Sequence, residues 1–184
     1  MKYKTREYPL FSACGLNCGL CPRYYTNGPS RCPGCAGEGF TEAHCGCGML
    51  SCCQRKGHEC CFECDEFPCS KYNDVDSSDS FITHRNQMTD MEKAKRIGIE
   101  TYINELNEKV EILKNLLQNY DDGRRKSFYC LAVGLFDLTD LKELMNRITG
   151  ETSIDLPIKD KAKACAKLFD ELAELKSISL KLRK

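Results

Sequence analysis

Thirteen of the chain's fifteen cysteines fall between Cys14 and Cys69. A thiol can be a nucleophile or a redox couple, but a thiolate is also a strong, soft metal ligand. The order is Cys14-x3-Cys18-x2-Cys21, Cys32-Pro-Gly-Cys35, Cys45-Gly-Cys47, the vicinal pairs Cys52-Cys53 and Cys60-Cys61, and Cys64-x4-Cys69. In a C-x2-C pair the two intervening residues let the backbone turn back, so both sulfurs reach one ion. Gly15, Gly19, Pro22, Pro33, Gly34, Gly46 and Gly48 stand beside the cysteines and suit such turns. Cys18, Cys21, Cys32 and Cys35 therefore have the spacing of a tetrahedral four-thiolate zinc site. Cys61, Cys64 and Cys69 suggest a second site, with Cys52 or Cys47 as the fourth ligand. Adjacent cysteines point apart, so each vicinal pair is expected to give one ligand. That leaves eleven cysteines, where three all-thiolate sites need twelve. Two zinc ions are expected, and a third would have to recruit His44 or His58. The partition of Cys14, Cys47 and Cys52 between the sites stays open.

The choice of metal over disulfides follows from the rest of the chain. The first residues, MKYKTREYPLFSAC, are charged and lack the apolar run of a secretion signal. No window approaches a membrane span. A cytoplasmic location is expected, where a reducing thiol pool disfavours structural disulfides. The odd number of cysteines also leaves one unpaired in any all-disulfide scheme.

Other chemistries fit less well. Cys14-x3-Cys18-x2-Cys21 has the spacing of radical S-adenosylmethionine enzymes, but no alternation of strand and helix follows it. An iron–sulfur cluster held by four cysteines is the alternative cofactor. Cys32-Pro-Gly-Cys35 lacks the βαβ surroundings of a thiol-redox motif. Residues 1–72 carry eight Lys/Arg and seven Asp/Glu. Zinc held by four thiolates adds negative charge there, against what phosphate binding needs, so nucleic acid is not an expected partner. No HExxH, GxSxG or phosphate-cradling glycine loop occurs. Cysteine-saturated sites are usually closed and structural. The expected role is thus a module that binds a protein or small ligand rather than an enzyme. The alternative is an enzyme or electron carrier using a cluster or an activated cysteine such as Cys14.

The order CGxxCxxC, CPGC, CxxxxC and CxxCxxFPC resembles an uncharacterised microbial cysteine-rich family, domain of unknown function 3795. The matching residues are Cys14, Cys18, Cys21, Cys32, Cys35, Cys47, Cys52, Cys61, Cys64 and Cys69, with Phe67 and Pro68 in the last motif. SFYCLAV, Ser127 to Val133, is similar to a later segment of the same family. Cys45, Cys53 and Cys60 depart from its pattern. The resemblance implies zinc binding and supplies no activity.

The elements that must position these thiols divide the chain. Leu16, Leu20, Met49 and Leu50 are the only large aliphatic residues between Cys14 and Cys69, so metal is expected to order an irregular N-terminal half, residues 1–72. Residues 73–87, rich in serine and aspartate, read as a connector. Residues 88–184 read as a small helical bundle, which makes the chain mainly α. Ile99, Ile103, Leu106, Val110, Leu113 and Leu117 repeat at steps of three and four, which predicts one helix from about 88 to 120. The same stripe could serve as the seam of a homodimer. Residues 127–136 are apolar throughout, and periodicity cannot separate helix from strand there. Helix is favoured, although the alternating tail around Ile178, Leu180 and Leu182 could form a short β pair with it. A final helix is predicted from about Pro157, burying Ile158, Ala162, Cys165, Phe169, Leu172 and Leu175.

Overall fold

The computed structural model describes residues 3–75, 77–153 and 155–184. Met1 and Lys2 of the expected N-terminal region and Asp76 of the expected connector lie outside the described residues. Among the described residues the chain is mainly α and forms no strand. The helices are α1 (Phe40–Ala43), α2 (Gly48–Arg55), α3 (Gln87–Ile97), α4 (Ile99–Asn119), α5 (Lys126–Leu135), α6 (Leu138–Glu151) and α7 (Ile158–Lys176).

The single helix expected over 88–120 is two. Gly98 separates α3 from α4 with φ 87° and ψ 144°, a conformation that only glycine adopts without strain. The apolar repeat begins at Ile99, directly after this break. α4 is the centre of the molecule and packs against α3, α5, α6 and the first cysteine turn. Its buried face is Tyr102, Leu106, Val110, Leu113 and Leu116. Ile99, Ile103 and Leu117 are only partly buried, so the true face is rotated slightly from the predicted stripe. Leu106, Val110 and Leu113 of that stripe are covered within the chain.

The apolar run at 127–136 is α5, buried at every residue from Tyr129 to Leu135. A helix covered on all sides shows no period, hence the ambiguity. The tail does not pair with it. Arg85 instead donates from Nη1 to the Ser179 carbonyl at 2.6 Å and from Nη2 to the Lys181 carbonyl at 2.5 Å. The Arg183 N–H donates to Asp79 Oδ2 at 2.8 Å, while the Asp79 N–H donates to the Arg183 carbonyl at 3.1 Å. In α7, Ala162, Cys165 and Phe169 are buried as expected, but Ile158 and Leu175 are exposed at the two ends.

Phe11, Leu20 and Cys60 belong to the same apolar cluster as Met91, Leu106, Leu113, Phe136 and Phe169. The Phe11 ring lies 4.7 Å from that of Tyr102, centroid to centroid. The cysteine-rich segment therefore shares the helical core. A second, smaller cluster within it contains Ala13, Cys32, Cys35, Ala36, Phe40, Leu50 and Cys53.

Candidate metal centre

The cysteine loops are hung on one short, turn-containing stretch, Pro9 to Ala13. Cys35 donates its N–H to the Pro9 carbonyl at 2.7 Å, Gly19 to Leu10 at 2.9 Å, and Cys61 to Ala13 at 2.8 Å. Each of the three main cysteine motifs is thus tied to one stretch by one backbone bond. Gly34, at φ +92°, lies so close to Pro9 that a Cβ would collide with the Pro9 carbonyl. Gly15, at φ +96°, faces α3, where a Cβ would stand 2.7 Å from the Gln87 carbonyl oxygen. These two glycines allow the loops to approach backbone closely.

Two of the turns share one local geometry. Cys18–Leu20 and Cys61–Glu63 are each a single 3-10 turn, in which the N–H of the closing cysteine, Cys21 or Cys64, donates to the carbonyl of the first. Cys21 has φ −81° and ψ 134°, and Cys64 has φ −82° and ψ 134°. The C-x2-C spacing therefore produces the same knuckle twice. Cys32-Pro-Gly-Cys35 differs, because the Cys35 N–H goes to Pro9 instead.

Around the first knuckle, the Cys18 thiol is pushed well up, by burial first and then by the neighbouring Cys35, Cys14, Cys21 and Cys32. Burial likewise pushes Cys14 up to about 12; the hydroxyl of Ser12, 3.1 Å from Cys14 Sγ, pulls the other way, while Cys35 and Cys47 add to the rise. Cys47 also bears on Cys35 and packs against the small cluster that holds Cys32 and Cys35. The Cys47 N–H is fixed by the Tyr3 hydroxyl at 2.8 Å. Crowded, buried thiols of this kind resist ionising together unless a cation joins them.

Cys52, Cys53, Cys61, Cys64 and Cys69 line one pocket of about 150 Å³, together with His58 and Tyr72. Cys52 thus belongs with the second group. Both members of the 52/53 pair line the pocket from α2, whereas the 60/61 pair divides: Cys61 faces the pocket and Cys60 is fully buried in the core. The hydrogen bond from Cys53, opposed by burial and aided by Tyr72, lowers Cys61 to about 7. Lys56 donates from Nζ to Cys64 Sγ at 3.2 Å. Cys45 is exposed and belongs to neither group.

Arg6, which the motif reading missed, is a buried cation between the groups, 5% exposed. It donates from Nη1 to the Phe11 carbonyl at 2.6 Å and from Nη2 to the Glu59 carbonyl at 2.9 Å, with Cys60 Sγ 3.6 Å away. Its Nη2 also pairs with Glu59 Oε1 at 3.1 Å. The buried Nε has no partner. Burial raises the Cys35 thiol, and the Arg6 guanidinium pulls it back down. Only the absence of a glycine or cysteine signature hid this residue, since a lone arginine among charged neighbours carries no pattern.

Among the described residues no three His, Cys, Asp or Glu side chains are closed to metal-binding geometry. The donor set nonetheless suits a soft divalent ion: all sulfur, gathered in two groups, with buried positive charge beside one and a lysine on the other.

Residues 10–74 match the model of a family described as Protein of unknown function (DUF3795). Over those residues, about a third of the chain, the cysteine-rich segment is similar to that uncharacterised family. The match ends before α3, so the SFYCLAV segment in α5 lies beyond it. No curated protein and no solved structure matches the chain. Among the described residues no helix is long and apolar enough to cross a membrane.

Proposed function

We propose that the protein is a zinc-binding module that holds about two ions, and that these ions shape a surface for a protein or small-ligand partner. Cys14, Cys18, Cys21, Cys32, Cys35 and Cys47 are the candidate ligands of the first ion, which takes four of them. Cys52, Cys61, Cys64 and Cys69 are those of the second, with Cys53 hydrogen-bonded behind Cys61. The observation that carries this reading is the repeated knuckle: two C-x2-C turns of matching backbone geometry, each opening onto its own group of thiols. Zinc would supply a redox-inert crosslink between loops that share few apolar contacts. Arg6, beside Cys35, and Lys56, on Cys64, offset part of the negative charge that four thiolates leave on each ion. Such thiolates suit a reducing compartment, and the cytoplasm is the proposed location.

Elemental analysis of protein purified without oxygen tests this directly. A colourless sample with about two zinc per chain is expected. A brown sample containing iron and sulfide would replace zinc with an iron–sulfur cluster. Reduced, metal-free protein that stays ordered across residues 3–72 would end both readings.

A further inference from the structure

The seam between the first knuckle and the α3–α4 pair holds polar side chains that the metal reading does not use. Asn17 donates from Nδ2 to Asp90 Oδ2 at 2.8 Å, and the Tyr102 hydroxyl donates to Asn17 Oδ1 at 3.0 Å. Two spaces meet here, since Asn86 and Asp90 line both. One is a chamber of about 20 Å³, also lined by Asn17, Thr83 and Gln87; it has room for one water-sized group. The other is a cleft of about 230 Å³ at α3, α4 and the turn into α6, lined by Lys93, Tyr102, Glu105, Lys109 and Asp137.

The chamber's hydrogen-bonding inventory is one-sided. Gln87 is 3% exposed; its Nε2 donates to the Cys14 carbonyl at 2.8 Å, and its buried Oε1 has no partner. Asn86 uses Nδ2 on the carbonyls of Gly134, at 3.1 Å, and Leu135, at 3.4 Å, which leaves Oδ1 to accept. Asp90 adds a carboxylate. A buried acceptor left without a donor costs about 1–3 kcal/mol, so the chamber calls for a group with several N–H bonds. Two cations line the cleft. Lys93 pairs with Glu105, and Lys109 donates to the Phe136 carbonyl at 2.7 Å. Burial pushes Asp90 up to about 6, against the pull of Lys109, Tyr102, Lys93 and Asn17.

We propose that this seam binds a small molecule through a primary ammonium group, seated in the chamber on Gln87 Oε1, Asn86 Oδ1 and the Asp90 carboxylate, with the rest of the ligand in the cleft. A water of the same size brings two donors and no charge, whereas an ammonium group brings three donors for the three acceptors and a positive charge beside the Asp90 carboxylate. The cleft limits the ligand to a short chain, and Glu105 and Asp137 there suit a second amine. The site is independent of the zinc reading.

The test uses the full chain with its native metal content and follows the side-chain amide signals of Asn17, Asn86 and Gln87 by nitrogen-15 NMR. The probes are 1,4-diaminobutane, tetramethylammonium and acetate at matched ionic strength. Saturable shifts are expected with the diamine and with neither control, and Asp90→Asn should weaken diamine binding by about tenfold or more. If that variant misfolds, the contrast between the diamine and tetramethylammonium in the unaltered chain decides. Absence of saturable shifts up to about 100 mM diamine, an equal response to tetramethylammonium, or undiminished binding by folded Asp90→Asn would overturn the proposal and leave the chamber to water.

Discussion

The cysteine-rich segment and the helical one satisfy their backbones by opposite means. In α4, twenty-one residues long, each N–H beyond the first turn finds its partner one turn away, and a face of Tyr102, Leu106, Val110, Leu113 and Leu116 is buried. In residues 3–72 the helices have only four and eight residues. There the loops depend on single bonds between distant positions, such as Cys35 to Pro9 and Cys61 to Ala13. Most of the second cluster's buried side chains are sulfur or small, with Phe40 and Leu50 the exceptions. Local hydrogen bonds and a broad apolar face let the helical part tolerate the loss of any one contact. The loops have no such redundancy, which is where a crosslinking ion would matter most.

The sharpest way to break that contrast is to remove the ions. Structural zinc contributes about 10–16 kcal/mol in small finger peptides at neutral pH. Chelation, or Cys18→Ser or Cys61→Ser, should therefore abolish amide-exchange protection in residues 9–64 while helical circular dichroism largely persists. Simultaneous loss of both signals would show that Phe11 and Leu20, seated in the helical core, join the two regions into one cooperative unit. Next in size is the buried cation. Arg6→Met leaves Glu59 and nearby thiols without their counter-charge and should cost about 3–5 kcal/mol, with reduced zinc content; an unchanged metal-to-protein ratio would confine Arg6 to a structural role.

Leu113→Ala gives the matching perturbation on the helical side. Leu113 is fully buried, and the truncation should cost about 2–5 kcal/mol in denaturant melts while zinc content stays the same. The smallest effect is expected at the clamp that ties the tail to the connector. Burial works to raise Asp79, but the N–H groups of His84 and Arg183 and the Arg183 guanidinium outweigh it and hold the carboxyl at about 2. That lies below its unfolded value near about 3.9, so the clamp's stabilisation is complete above that value. It is lost as the pH falls from about 4 toward 2. Asp79→Asn should cost about 1.5–3 kcal/mol at pH 7 and flatten the stability profile between those limits. An unchanged acid profile in this variant would remove Asp79 as its source.

Much of this was legible in the chain. The helices over 99–119 and 158–176 follow from apolar residues at steps of three and four, and the knuckles at Cys18 and Cys61 follow from C-x2-C spacing. The break at Gly98 was hidden because an isolated glycine inside a helical pattern is usually tolerated. The exposed Ile158 and Leu175 were misplaced because periodicity assigns a face but not how far a neighbouring helix extends along it. Asn17, Gln87, Asp90 and Tyr102 carry no motif, and they meet only because α3 and α4 fold against the first knuckle.

Cysteine type and spacing by themselves determined that the first part of the chain carries soft ligands in turns, and side-chain period determined that the rest is helical. Both properties are local, fixed within a few residues of backbone. Only the tertiary structure decided that Cys47 stands with the first group and Cys52 with the second, that Arg6 is buried among thiols, and that Phe11 enters the helical core. Those pairings join residues dozens of positions apart, and packing and charge select them once the loops are closed on the stretch from Pro9 to Ala13.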